Sequence, residues 1–154
     1  MASELVRVDP ERFAVAWHDD RARAAHSLTE AWLASFRSVH TQKNYRRDLM
    51  AWLAWCEQCR VEPADARIAH ADMWIATQRR DGAAEASIAR RISAVASWYS
   101  YLIDNTGQDP VPLATHNPAR TRARRKIDPD YSLGPGSRRP RPTSSSRRPT
   151  PTRS

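Results

Sequence analysis

Apolar side chains recur at helical spacing in the middle of the chain. They fall at i, i+4, i+7, i+8 and i+11, as Tyr45, Leu49, Trp52, Leu53 and Cys56. At about 100° per residue these positions form one stripe, which predicts a helix that faces a core. Lys43, Arg46 and Arg47 fall on roughly the opposite face. Thr41 stands where an N-cap is expected, so the first turn would combine unpaired backbone N–H groups with Lys43 and suit a phosphate.

A second stripe, further along the chain, is more regular. It consists of Ile88, Ile92, Val95, Tyr99 and Leu102. Its narrow width predicts a well-buried helix face. Arg90 points away from this stripe, whereas Arg91 flanks it and can extend its charged end outward. Asp81-Gly82 before this helix and Asn105-Thr-Gly107 after it are typical of helix ends.

Three further helices complete the predicted fold. One covers about Pro10–Ala25, and one opens at the capping-box pattern Ser27-Leu-Thr-Glu30. The third lies near His70–Arg80, with Met73 and Trp74 facing inward. No stretch alternates convincingly with period two. The patterns therefore predict an all-α bundle of four to five helices.

The aromatic and sulfur-containing side chains are assigned to packing. Six tryptophans would suit base stacking, but most occupy positions typical of a core: Trp32, Trp52, Trp74 and Trp98. Cys56 and Cys59 form a lone Cys-x-x-Cys without a second pair of metal ligands. Because Cys56 lies on the apolar stripe, a structural role is favoured over a redox or zinc role.

The net charge of +8 is unevenly distributed along the 154 residues. Residues 1–119 carry 14 basic and 15 acidic side chains, so the predicted helical body is close to neutral. Residues 120–131 add five basic and two acidic groups, and residues 132–154 add six arginines and no acid. Nucleic-acid binding by the body must therefore depend on where basic residues sit on the helices, with the basic linker and tail as further phosphate contacts.

Three motifs occur in order between Ser38 and Ala119. The stretch Ser38–Cys56 contains S-x-x-T-x-x-x-Y-x-x-D-L-x-x-x-x-x-W. Ser87-Ile-Ala-Arg-Arg-Ile-Ser-Ala-Val-Ala-Ser-Trp-Tyr-Ser-Tyr-Leu102 follows, and then Asn117-Pro118-Ala119. Together they resemble the core-binding domain of tyrosine recombinases, the family of phage integrases and Xer proteins. The resemblance implies a SAM-like, DNA-binding domain over residues 27–119, preceded by an N-terminal extension over residues 1–26.

The resemblance also implies a DNA-binding surface, because the two matching helices of the family lie in the major groove. The residues at the matching positions are Thr41, Lys43 and Asn44 on the first helix and Ser87 and Arg90 on the second. Arg46, Arg47 and Arg91 are expected to contact phosphates. The basic linker adds Arg122, Arg124, Arg125 and Lys126. Hydroxyl and basic side chains suit phosphates, Asn44 suits adenine, and Arg90 suits a bidentate contact to guanine.

The chain changes character after Ala119. Residues 120–131 resemble the family's interdomain linker. Residues 132–154 contain five Pro, six Arg, six Ser and one large apolar residue, Leu133, which predicts a disordered tail. An abrupt change to Arg, Pro, Ser and Thr is what GC-rich codons yield when they are read out of frame. A native arginine-rich arm for DNA phosphates is the competing interpretation.

Family members perform catalysis in a second domain, with a tyrosine nucleophile, two arginines, a lysine and a histidine. No such set follows the core-binding motifs in this sequence, so we expect a truncated or frameshifted fragment without enzymatic activity, cofactor or small-molecule substrate. The expected partners are double-stranded DNA and other recombinase protomers. A cytoplasmic location is expected, because no apolar run is long enough for a membrane span and the N-terminus lacks a signal peptide.

Two alternatives to this function stay open at the level of sequence. The first is an all-α protein-interaction module that has no role on DNA. The second is the DNA-binding half of a recombinase whose catalytic domain is supplied by another chain.

Overall fold

A computed structural model describes residues 20–124 of the chain, which form a helical bundle. The helices are α1 (Asp20–Ala34), α2 (Val39–Gln58), a 3₁₀ helix (Pro63–Asp65), α3 (Ile68–Arg80), α4 (Glu85–Thr106) and α5 (Arg120–Arg124). No β-strand occurs among the described residues, which confirms the all-α prediction. The predicted tail over residues 132–154 lies outside them, as do residues 10–19 of the first predicted helix.

The two predicted apolar stripes form the core where α2 and α4 cross. Every member of the α4 stripe is buried, as are Leu49, Trp52, Leu53 and Cys56 of α2. Tyr45 is half-buried and stacks on Trp32 of α1, with ring centroids 5.9 Å apart. The four tryptophans assigned to packing are 3% exposed or less, so that prediction is confirmed. Trp55 is also buried, whereas Trp17 lies outside the described residues.

The polar atoms of three buried aromatic side chains form hydrogen bonds between helices. The Trp52 indole N–H donates to the Tyr99 hydroxyl oxygen (3.1 Å), and that hydroxyl donates to the Pro63 carbonyl (2.6 Å). The Trp98 indole N–H donates to Thr29 Oγ1 of α1 (2.9 Å). Burial raises the pKa of Tyr99 well above its ordinary value, so its hydroxyl remains a donor. These directional bonds select one packing of the aromatic side chains.

The predicted starts of two helices are wrong. α2 begins at Val39, and its N-cap is Ser38, whose Oγ accepts the Thr41 backbone N–H at 3.3 Å. Thr41 therefore lies inside the first turn. Ser27 does not open a helix, because α1 runs continuously from Asp20 to Ala34. The Ser-x-x-Glu spacing marks a helix start only where the serine backbone is extended.

The predicted inward face of α3 is partly wrong. Trp74 is buried as expected, but Met73 is 55% exposed. The buried positions of α3 are Ala71, Trp74 and Gln78, spaced three and four residues apart. Since successive helix residues are about 100° apart, a stripe through Trp74 and Gln78 directs Met73 away from the core. The predicted helix ends are confirmed, with Gly82 at φ 84° after α3 and Gly107 as the C-cap of α4.

The connection after α4 folds back onto that helix. Asn117 Nδ2 donates to the Ala96 carbonyl (2.7 Å) and to Ser100 Oγ (3.0 Å), while its Oδ1 accepts the Ala119 backbone N–H (3.1 Å). Ala119 is fully buried at the start of α5. The Asn-Pro-Ala motif thus helps to dock α5 on α4, through the asparagine hydrogen bonds and the buried Ala119.

We expect Leu49→Ala to destabilise the domain by about 2–5 kcal/mol, because it leaves a cavity at a fully buried position of α2. Met73→Ala is the matched control, since Met73 is 55% exposed and its truncation should cost roughly 0.5 kcal/mol or less. Urea unfolding followed by circular dichroism measures both changes. Equal losses in the two variants would contradict the placement of the core.

Candidate nucleic-acid interface

The first turns of α2 present a polar and partly exposed surface. Thr41, Lys43 and Asn44 are half-buried, and Arg47 is exposed. The Ser38 side chain caps one backbone N–H, and no acidic residue lies in the first turn. The positive end of the helix dipole therefore adds to the charge of Lys43. This end of α2 is suited to an anion such as a phosphate.

A buried carboxylate, Asp48, holds α4 against α2. Its side chain is 2% exposed and accepts two hydrogen bonds of 3.0 Å from Nε and Nη2 of Arg90. Arg91 Nε lies 4.0 Å from the same carboxylate. Arg91 Nη1 also donates to Gln78 Oε1 of α3 at 2.8 Å. One carboxylate of α2 is therefore linked to two arginines of α4 and, through Arg91, to α3.

The ion pair brings most of the predicted helical site residues to one crossing. Asn44 and Thr41 precede Asp48 by four and seven residues, so they lie on the same face of α2. Ser87 precedes Arg90 and Arg91 by one turn of α4. Lys43 and Arg47 lie one turn apart along the outer side of α2. The arrangement offers hydroxyl, amide and cationic groups from two helices.

The crossing carries a positive charge. Two guanidinium groups face a single buried carboxylate. The hydrogen bond to Asp48 raises the pKa of Arg90 above its ordinary value, so this side chain stays protonated. Lys43 and Arg47 form no ion pair with any other residue in the range 20–124. Accessible cations without an internal partner can neutralise phosphates.

Arg46 lies on the wrong side of α2 for this surface. It is only 9% exposed, and its Nη2 lies 3.4 Å from Glu30 Oε2 of α1. Its buried Nε has no hydrogen-bond partner among the described residues. The expectation that Arg46 shares the exposed face of Lys43 and Arg47 is therefore wrong. Its position beside the apolar stripe is covered by α1.

The basic linker begins as a docked segment. Arg122 of α5 donates from Nη2 to Asp72 Oδ2 of α3 at 2.8 Å, and a second hydrogen bond joins its Nε to Asp72 Oδ1. These bonds raise the pKa of Arg122 and hold α5 against α3. Arg124 is the last residue of α5, and Arg125 and Lys126 lie outside the described residues.

Sequence reasoning missed the role of Asp48. In the sequence it is one of two acids on a charged helix, and Arg90 is 42 residues away. The available signal was its angular position: Asp48 comes four residues before Trp52 and therefore borders the buried stripe. An acid at the edge of a core needs a basic partner on the neighbouring helix.

Several other chemically active side chains in the described range are packed. Tyr99 is fully buried, and Tyr45 lies between Trp32 and Phe36. Cys56 is buried as predicted, and burial raises the pKa of its thiol, whereas Cys59 is exposed. Residues 20–124 contain no cluster of metal-binding side chains. No helix in the same range has the length and apolarity needed to cross a membrane.

More than half of the chain, residues 17–106, matches the family described as "Phage integrase, N-terminal SAM-like domain". The chain belongs to this family. The matched range contains α1 to α4 and therefore the whole crossing around Asp48. It covers both helical motifs that resemble those of tyrosine recombinases, so the recognition made from the sequence is confirmed.

The relatives are tyrosine recombinases. The chain is 39% identical over 83 residues to "Tyrosine recombinase XerC" of Pseudomonas syringae pv. tomato, an alignment that covers 53% of this chain and 26% of that protein. It is 35% identical over 82 residues to "Tyrosine recombinase XerD" of Chlorobaculum tepidum, covering 53% of this chain and 25% of the relative. The chain thus spans about a quarter of the length of these relatives. No solved structure gives a comparable match.

We expect Arg90→Ala to destabilise the domain by about 1–3 kcal/mol, although Arg90 is partly exposed, because the buried Asp48 carboxylate loses both hydrogen bonds. The same substitution in an Asp48→Asn background should cost much less, since no buried charge is then left unpaired. A double-mutant cycle from urea unfolding measures the coupling. Additive effects of the two substitutions would contradict the ion pair.

Proposed function

We propose that this chain binds double-stranded DNA through the crossing of α2 and α4. The observation that carries the proposal is the Asp48–Arg90 ion pair, which joins the polar first turns of α2 to the N-terminal part of α4. Membership of the phage integrase family and similarity to tyrosine recombinases support a partner of this class. The resulting surface combines groups for phosphates with groups for base edges.

The phosphate contacts are assigned to the outer side of α2. Lys43 and Arg47 are cations without an internal ion pair among residues 20–124. Thr41 contributes a hydroxyl in the first turn, where the helix dipole favours a negative charge. These groups fix the position of the domain on the duplex and supply affinity that depends on salt.

The base contacts are assigned to the side of α2 that faces α4. Asn44 can accept from and donate to adenine, and Ser87 can bond a base or a phosphate. The exposed part of Arg90 can reach a guanine. Arg46 is excluded from this set by its burial. Arg122 lies on α5 and is bonded to Asp72 of α3, so it is not part of the crossing of α2 and α4.

We further propose that the 154-residue chain does not cut DNA by itself. A recombinase nucleophile must reach a phosphate and be flanked by cationic groups that stabilise the transition state. Tyr45 and Tyr99 are held in aromatic contacts of the core. The family match is to the N-terminal domain, which supports a binding role.

We expect the full chain to bind duplex DNA weakly, with an affinity that falls steeply as salt rises. Each neutralised phosphate contributes about −0.9 to the log–log slope, so Lys43→Ala and Arg47→Ala should each make the slope shallower by roughly 1. Fluorescence anisotropy across a salt series measures both quantities.

Arg60→Gln is the matched control for these two variants. Arg60 is exposed and lies just beyond the C-terminal end of α2, about 25 Å along the helix from Lys43. Its substitution should leave the slope unchanged. A folded chain that binds no duplex at low salt would sink the proposal and favour a protein-interaction role.

We expect no covalent adduct when the chain is incubated with a nicked suicide substrate that would trap a phosphotyrosine. Denaturing gel electrophoresis detects such an adduct as a shifted band. A trapped band that disappears in one of the Tyr→Phe variants would contradict the assignment to binding alone. Cleavage only after addition of a separate recombinase chain would instead support the alternative of a catalytic domain supplied in trans.

A further inference from the structure

Within the domain itself, the Arg90 side chain is held in place by Asp48. Asp48 accepts hydrogen bonds from Nε and Nη2 of this arginine, at 3.0 Å each. A guanidinium has five N–H donors, so both hydrogens of Nη1 and one of Nη2 remain. Among residues 20–124 no side chain or carbonyl accepts from Nη1.

The remaining N–H donors of Arg90 include two that point in the same direction and could bond a ligand. One Nη1–H and the second Nη2–H lie side by side on the edge of the planar guanidinium next to the one that Asp48 occupies. Two parallel donors of this kind match O6 and N7 of guanine in the major groove. The Arg90 side chain is 43% exposed although its partner is buried, so the side chain is accessible to a ligand.

The carboxylate that holds Arg90 is itself fixed. Asp48 is 2% exposed and also lies 4.0 Å from Arg91, which is bonded to the buried Gln78 of α3. An arginine in solution loses the freedom of several rotatable bonds when it binds a base. A pre-positioned guanidinium has already lost part of that freedom, which leaves more of the contact energy for recognition.

We propose that Asp48 is a positioning residue for base recognition, which orients Arg90 so that its free edge contacts one guanine in the major groove. Asp48 touches no DNA itself. The inference rests on the proposed DNA binding and adds a specificity determinant to it. A bidentate arginine–guanine contact discriminates between bases by roughly 5- to 150-fold. Asparagine at position 48 offers one acceptor oxygen in place of two, so Arg90 would lose its fixed orientation.

The test uses the full chain and a pool of random duplexes. Selection with the wild-type chain and with Arg90→Ala identifies the guanine whose preference depends on Arg90. The wild type, Asp48→Asn and Arg90→Lys are then titrated on duplexes that carry guanine or 7-deazaguanine at that position. The analogue keeps base pairing but lacks N7. The wild type should lose roughly 5-fold or more in affinity on the analogue, whereas both variants should bind the two duplexes equally and retain salt-dependent binding.

Two comparisons separate positioning from a purely structural role. Arg47→Ala removes an exposed cation of α2 and should weaken binding to both duplexes by the same factor. Arg90→Lys keeps a cation opposite Asp48 but lacks the second edge of donors. Thermal melting monitored by circular dichroism checks the fold of each variant. Should Asp48→Asn fail to fold, Asp48→Glu takes its place, because it keeps a carboxylate opposite Arg90 but displaces it by one methylene.

The two proposals fail in different ways. Absence of duplex binding by the folded wild-type chain overturns the proposed function and this inference with it. Salt-dependent binding without a guanine preference overturns only the inference. The inference also fails when folded Asp48→Asn or folded Arg90→Lys remains as sensitive to 7-deazaguanine as the wild type.

Discussion

A charge buried at the crossing of two long helices constrains the whole domain. Asp48 is 2% exposed, and an unpaired carboxylate at such a position would be strongly destabilising. Arg90 must therefore lie opposite it, which fixes how far α4 can slide or rotate on α2. On the buried side of the same crossing, the Trp52–Tyr99 hydrogen bond of 3.1 Å imposes a second restriction. The ion pair and the aromatic core are compatible with the same register, and few other registers would satisfy both.

Several arginines of the domain form ion pairs with its own acidic residues, so the net charge is a poor guide to which cations are available to a ligand. Arg46, Arg79 and Arg122 are each paired with an acid on the domain itself. Such arginines count in the composition, but their charge is already compensated by a neighbouring carboxylate. The cations at the start of α2, Lys43 and Arg47, have no ion-pair partner in the described range. Which cations remain uncompensated therefore depends on the folded structure and cannot be read from the net charge.

The sequence was sufficient for those features that depend on one helix alone. The α4 stripe and the end of that helix at Gly107 follow from local spacing and are observed. Features that depend on a neighbouring helix could not be derived in this way. Arg46 is buried because α1 covers it, and Arg90 is paired because α4 lies on Asp48. The prediction that Thr41 caps α2 was wrong for a different reason. Ser38 and Thr41 are three residues apart and both are good N-cap residues, so the sequence alone does not choose between them.

The direction in which the chain leaves the domain depends on the same helix that carries Arg90. Asn117 bonds to Ala96 and Ser100 of α4, and Arg122 of α5 bonds to Asp72 of α3. The start of the basic linker is consequently attached to the rigid bundle. Because α4 is also held on α2 by Asp48, a duplex bound at the crossing would have a defined orientation relative to α5. Substitutions that release α5 would then alter the direction in which the chain leaves the bundle while leaving the Asp48–Arg90 pair in place.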